Sequence, residues 1–210
     1  MDLLRSILDI VFPPRATELV VRQASAFDVL SRIEPREHVV SAHTICSLLR
    51  YEDVLVQSII KEAKFHKNRK AMKLLGEVLA TYLPECIGEI ESYGRRVVLV
   101  PIPLSKRRLR SRGYNQVVEV LRFAETSLGR LLGVTHLLLE RIRDTSPQTT
   151  LNGTKRSENM YDAFRAGACD ALSDYVLIDD VTTTGATLIA AHKALSNSGA
   201  RHITLLSLAH

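Results

Sequence analysis

Apolar positions along this chain follow two different periods. Leu4, Leu8 and Val11, with Ile7 beside them, recur at helical spacing. Met1 to Phe12 therefore reads as an amphipathic helix rather than a signal peptide. Pro13-Pro14 should close it, because proline removes a backbone donor and restricts the residue before it. Residues 16–35 show no readable period, whereas the β-branched and apolar mixture over 38–50 predicts a strand. From Glu52 to Leu83 the pattern is helical. One stripe runs through Val56, Ile59, Ile60 and Ala63, and a second through Met72, Leu75, Leu79 and Leu83, with Pro84 expected to end it.

The second half changes character. Val97-Val98-Leu99-Val100 is a continuous apolar run closed by Pro101 and Pro103, as in a strand buried on both faces. A basic loop follows, then a helix from about Asn115 to Gly129 on Val117, Leu121, Ala124 and Leu128. Leu137 to Leu139 predicts another strand, and 141–160 is polar and expected to be exposed. Tyr175 to Ile178 is a third buried strand, followed by a helix ending near Gly199 and a last strand from Ile203 to Leu208. Strands alternating with helices predict an α/β protein with a mainly parallel sheet covered on both faces.

Composition adds modest constraints. The 210 residues include 46% hydrophobic and 24% charged positions, a globular balance, and with no Trp the core should be aliphatic. The formal charge of +5 favours anionic partners, which phosphorylated metabolites and nucleic acids both satisfy. No apolar run approaches the ~18 residues of a membrane span. Cys46, Cys86 and Cys169 are far apart and form no Cys-x-x-Cys pair. A reduced, cytoplasmic protein without disulfides or zinc is expected.

Candidate chemistry concentrates in Val176 to Thr187. An apolar strand runs through Asp179-Asp180 into Val181-Thr182-Thr183-Thr184-Gly185-Ala186-Thr187 and a helix. Ligands of open α/β sheets bind at the carboxyl ends of strands. Gly185 permits a tight turn, and the free amides and positive dipole end of the next helix form a seat for phosphate. Thr183, Thr184 and Thr187 add hydroxyl donors. Two carboxylates beside such a seat conflict with an anion unless they face sugar hydroxyls and a divalent cation. A second unusual stretch, Pro101 to Gln116, holds Lys106, Arg107, Arg108, Arg110 and Arg112 directly after a core strand. Guanidinium groups there could bind phosphate oxygens bidentately.

The strand, the acidic pair and the Thr/Gly turn resemble the phosphoribosyl pyrophosphate (PRPP) motif of type I phosphoribosyltransferases. Pro101-Ile102-Pro103-Leu104 followed by Arg112-Gly113-Tyr114-Asn115-Gln116 resembles the ComF family of competence-associated members of that group. So do Tyr51 to Phe65 with Lys67 to Leu79, and Arg143 to Leu151 with Arg156, Asn159 and Ala163-Phe164. The resemblance implies a type I phosphoribosyltransferase-like domain over 51–210, preceded by an N-terminal helix and hood-like region over 1–50. It implies that Asp179 and Asp180 hold the ribose hydroxyls and Mg²⁺, directly or through water, and that Val181 to Thr187 cradle the 5-phosphate. Arg112 would join the two aspartates in catalysis. Asn115 and Gln116 would lie with Arg112 beside the active site, Lys106, Arg107 or Arg112 would meet the pyrophosphate, and Thr145, Gln148 and Arg156 would sit on a loop that closes over the ligand. Phe12 to Arg15 resembles the lead-in to the family's zinc ribbon, but the cysteine pairs that should follow are missing.

Three functions follow as expectations. The first is an enzyme that transfers phosphoribosyl from PRPP to an acceptor, releasing pyrophosphate. Thr183 stands where purine-salvage members carry an Asp, which argues against a hypoxanthine or guanine acceptor. The second is a non-catalytic protein that binds PRPP or another ribose phosphate. The third is an accessory protein for competence and DNA uptake that contacts single-stranded DNA or the competence machinery. A homodimer is the default assembly.

Overall fold

A computed structural model of the chain describes residues 13–91, 95–128, 133–134, 138–143 and 163–210. The helix expected over 1–12 and most of the polar stretch 141–160 lie outside the described residues. Helix α1 (Ala16–Gln23) and helix α2 (Ala26–Leu30) open the described chain. Ser25 caps α2 reciprocally: its Oγ accepts from Asp28 N at 3.2 Å, and its own amide donates to Asp28 Oδ2 at 2.8 Å. Strands β1 (Arg36–Val40) and β2 (His43–Leu49) form a hairpin turned at Ser41 and Ala42, both at positive φ.

Helix α3 (Val54–Phe65) starts on Asp53, whose Oδ1 accepts from the amides of Leu55 and Val56. Helix α4 (Arg69–Glu91) follows. It runs through Pro84 rather than stopping there. A proline forfeits one hydrogen bond, and the buried stripe of Met72, Leu75, Leu79 and Leu83 more than offsets that loss. Strand β3 (Val97–Pro101) leads into helix α5 (Lys106–Arg112), so the basic stretch is a helical turn and not a loop. The cause is local: Ser105 Oγ accepts from Arg108 N, and Gly113 ends the helix in the left-handed region at φ 76°.

Helix α6 (Gln116–Leu128) and the short strand β4 (Gly133–Val134) come next. Strands β5 (Leu139–Arg141) and β6 (Phe164–Ala166) pair with each other. The chain closes with β7 (Asp174–Val181), helix α7 (Ala186–Asn197) and β8 (His202–Ala209). The main sheet has the order β1-β2-β8-β7-β3-β4, with only β1–β2 antiparallel. The strand expected over 137–139 is therefore displaced. Gly133–Val134 extends the parallel sheet beside β3, while Leu139–Arg141 joins a separate antiparallel pair. Leu139 and Phe164 bury their side chains in the core beneath α7, which gives that short pair its reason to form.

The sheet is covered on both sides. One core joins α1 to α4 and α6 to Leu99, Val176, Ile178, Leu206 and Leu208. The other sets Leu188, Ala191 and Leu195 of α7 on Val98, Val100, Leu177 and Leu205. The protein is thus an α/β fold with a mostly parallel mixed sheet flanked by helices. No helix among the described residues is long and apolar enough to cross a membrane.

Inside the first core lies a buried charge. Glu62 of α3 accepts two bonds from Arg15 at 3.0 Å, one from Thr17 Oγ1 at 2.7 Å and one from Asn68 Nδ2 at 3.1 Å. Burial alone would raise its pKa. The donors and the Arg15 charge outweigh burial and hold it at about 2. This node fixes α1 and the α3–α4 turn, and with them the end of α3.

Candidate functional site

Strands β3 and β7 are parallel neighbours, so Pro101 and Asp179 to Val181 emerge at one carboxyl edge. Asp180 is buried there with defined partners. Its Oδ1 accepts from Val181 N at 2.8 Å. Its Oδ2 lies 2.8 Å from Lys64 Nζ and accepts from Gln116 Nε2 at 2.6 Å. Gln116 Oε1 in turn accepts from Arg112 Nη1 at 3.0 Å, and the Arg112 guanidinium packs over the exposed Phe65 ring at 5.1 Å. A single chain of contacts therefore joins the end of α3, the start of α6, the end of α5 and the end of β7.

Asp179 sits differently. It is half-buried, and its Oδ1 accepts from the amide of Asp180 at 2.8 Å. Burial first, and the Asp180 charge second, push its carboxyl well above the usual carboxylate range; the Asp180 amide and Lys64 act the other way. Two carboxylates on adjacent residues thus have unlike roles. Asp180 is locked into the protein by three partners, whereas Asp179 accepts a backbone amide and has its carboxyl pushed up.

The turn that follows is partly engaged by the fold. Val181 N donates to Asp180, and Thr182, itself buried, donates its amide to Ala209 O at 3.0 Å. The stretch open to an anion begins at Thr183. Thr183 and Thr184 are exposed, while Ala186 and Thr187 are half-buried in the first turn of α7. Gly185 precedes α7 in the left-handed region at φ 69°, and no side chain caps that helix. The α7 amides therefore face the edge with a positive dipole end and no competing side-chain acceptor.

Replacing Gly185 with alanine tests this turn. The new Cβ would press on Ile45 Cδ1, the far end of a side chain that can swing away. The positive φ cannot be relieved that way and costs about 1–2 kcal/mol. Thermal unfolding of Gly185→Ala should show a melting temperature lowered by roughly 2–8 °C. An unchanged midpoint would mean the turn does not hold this conformation.

The other sequence candidates divide. Asn115 serves the fold at the site: its Nδ2 donates to Ile102 O at 2.9 Å and its Oδ1 caps α6 at Val117 N. Arg112 and Gln116 join the aspartates. Arg107 is exposed on α5, and Lys106 Nζ lies 3.6 Å from Glu140, away from the Asp180 cluster. Thr145, Gln148, Arg156 and Asn159 fall outside the described residues. Lys64 is the residue that sequence reasoning missed. Its signal was a cation closing a helix whose apolar stripe ends just before it, which is common on ordinary surfaces. Tyr114, the one aromatic in the basic stretch, is buried. Its hydroxyl donates to Ala63 O at 2.7 Å and accepts from Lys67 N at 2.9 Å, pinning the α3–α4 turn to α6.

Comparison with known proteins places this geometry among relatives. No family profile matches the chain. It is similar to the competence protein ComFC of Streptococcus pneumoniae (strain ATCC BAA-255 / R6), with 31% identity over 135 residues, covering 64% of this chain and 56% of that protein. It is also similar to competence protein F of Haemophilus influenzae (strain ATCC 51907 / DSM 11121 / KW20 / Rd), with 33% identity over 116 residues, 53% of this chain and 49% of that one. The chain spans about half the length of the curated relatives it matches.

Proposed function

Since the chain belongs to the ComF family by this similarity to competence proteins, we propose that it is a type I phosphoribosyltransferase-like protein. It binds PRPP with Mg²⁺ and transfers phosphoribosyl to an acceptor, in support of competence and DNA uptake. One observation carries the reading: Asp180, fixed by Lys64 and Gln116, presents Asp179 at the foot of an uncapped Thr/Gly turn.

In this reading the amides from Thr183 to Thr187 hold the 5-phosphate. Asp179 accepts from a ribose hydroxyl, and Asp180 acts through water because its own oxygens are engaged. Arg112 lies near the leaving pyrophosphate. An acceptor nucleophile bonds to the anomeric carbon as the bond from that carbon to pyrophosphate oxygen breaks. The aspartate oxygens suit a hard divalent cation, and Mg²⁺, when bound, neutralises the departing pyrophosphate. The chain's own contribution is positioning and fixed charge around a centre that becomes positive.

Calorimetry with PRPP and Mg²⁺, followed by a pyrophosphate-release assay over a panel of acceptors, tests the proposal. Asp179→Asn with Asp180→Asn should weaken PRPP binding about 100-fold, the scale of two charge-assisted hydrogen bonds. Undiminished affinity in that variant would remove the site. Binding without release for any acceptor would favour a ribose-phosphate-binding regulator instead.

The exposed basic residues of α5 favour a second, compatible role in contacting single-stranded DNA. Neutralising Arg107, Arg108 and Arg110 should then lower both the affinity and its salt dependence.

A further inference from the structure

A separate cluster occupies the other side of β8, at the sheet's outer pair of strands. Arg36 and His38 of β1 stand opposite Ser47 and Ile45 of β2 in register. His210, just past β8, donates its amide to Leu49 O and accepts from Tyr51 N. Arg36, His38, Ser47, Arg50, Glu52 and His210, with Leu49, line a cavity. The His38 and His210 rings stack at 3.9 Å with an interplanar angle of 29°.

Two features of the cavity remain without a structural reason. His38 Nε2 is buried and has no hydrogen-bond partner among the described residues, a costly state for a polar atom. Two guanidinium groups and two imidazoles converge against two carboxylates. Glu34 pairs with Arg36 at 2.6 Å, but Glu52 on the rim approaches Arg50 only to 3.8 Å. A packed core would not collect cations and an unpartnered ring nitrogen at one place.

We propose that this cavity is a second oxyanion site, which takes a phosphate or phosphate-monoester group between Arg36, Arg50 and His38. A tetrahedral dianion supplies what the cavity lacks: acceptors for the His38 Nε2–H and for planar guanidinium donors. Burial first, then His210 and Arg36, lowers the His38 pKa. The cavity adjoins the Gly185 turn, because Ile45, opposite His38 in register, packs against Gly185, and Thr182 donates to Ala209 O beside His210. Its own lining comes from β1, β2 and the residues after β2 and β8, whereas the turn follows β7.

Titration of ¹⁵N-histidine-labelled protein with sodium phosphate at constant pH and ionic strength tests it. The His38 and His210 ring nitrogens should shift saturably. The second imidazole pair, His43 and His192, which meet edge-on at 4.5 Å, should stay still. Arg36→Gln with Arg50→Gln should weaken the response about tenfold or more, the scale of a lost charge-assisted contact. Both arginines are about half exposed, so the fold should tolerate the change.

Ribose 5-phosphate titrated into the Asp179→Asn, Asp180→Asn protein separates the sources. A tighter response than to inorganic phosphate assigns the cavity to phosphorylated ligands, and an equal one assigns it to free phosphate. No saturable shift up to about 10 mM phosphate, equal shifts in all four histidines, or full affinity in the arginine variant would each overturn the proposal.

Discussion

Glu62→Gln is expected to cost about 2–3 kcal/mol at neutral pH, below the ~3–5 kcal/mol of a fully buried pair because Arg15 is half exposed. The substitution leaves Arg15, Thr17 and Asn68 facing a neutral amide that cannot accept from all of them. The pH dependence carries a definite sign. The folded carboxyl titrates at about 2, below the ordinary value of 4.5. Its stabilisation is therefore present above pH 4.5 and is lost as pH falls through about 2. Denaturant unfolding of both proteins should show a wide gap at pH 7 that narrows steadily below pH 4.5. A gap that stays constant into acid would mean that ionisation of Glu62 contributes nothing to stability.

The second large effect is expected at the closest helix contact. A Cβ on Gly76 of α4 would lie 2.6 Å from Phe123 Cβ, 3.0 Å from Val120 O and 3.1 Å from Ala124 N. These are backbone or backbone-anchored atoms of α6, so no rotamer change relieves them. The helices must part, at a cost of about 1–3 kcal/mol or more, partly offset by about 1 kcal/mol of helix propensity gained by alanine. Gly76→Ala should therefore lose about 1–2 kcal/mol, with a melting temperature lower by roughly 2–8 °C. Gly167→Ala is the control. Its Cβ would meet only Leu138, at 3.8 Å, and its melting temperature should stay within about 2 °C of the parent. Equal behaviour of the two variants would show that α4 and α6 are not in close contact.

Much of the sheet was legible because burial on both faces writes itself into sequence as unbroken apolar runs. Strands β3, β7 and β8 and helices α6 and α7 follow from that signal. What escaped was governed by individual side chains. The β1–β2 hairpin turns through Ser41 and Ala42 at positive φ, where glycine or asparagine would have announced it. Helix α2 carried its Ser25–Asp28 capping pair in plain view, but it is five residues long and has almost no period. Helix α5 was obscured by its charge: five basic residues suggested a loop, although Ser105 and Gly113 mark a start and a stop. The exchange between 137–139 and 133–134 turned on Leu139 packing beneath α7, a tertiary contact that local pattern does not encode.

The site divides in the same way. The aspartate pair and the Gly185 turn are contiguous and could be named from the chain. Of the two side chains that pin Asp180, Gln116 was named from the chain, whereas Lys64 comes from a helix in the first third of the protein and nothing local links it to the aspartate.

That remote partnership has a consequence for how the protein matures. The bond between Lys64 and Asp180 closes across half the chain, a contact whose loop must be gathered before it yields anything. During synthesis the lysine leaves the ribosome long before the aspartate exists. The earlier half must hold its shape, through Glu62 and Tyr114, until the later strands arrive. Ligand competence should therefore be the final property acquired on refolding, after backbone structure has already recovered.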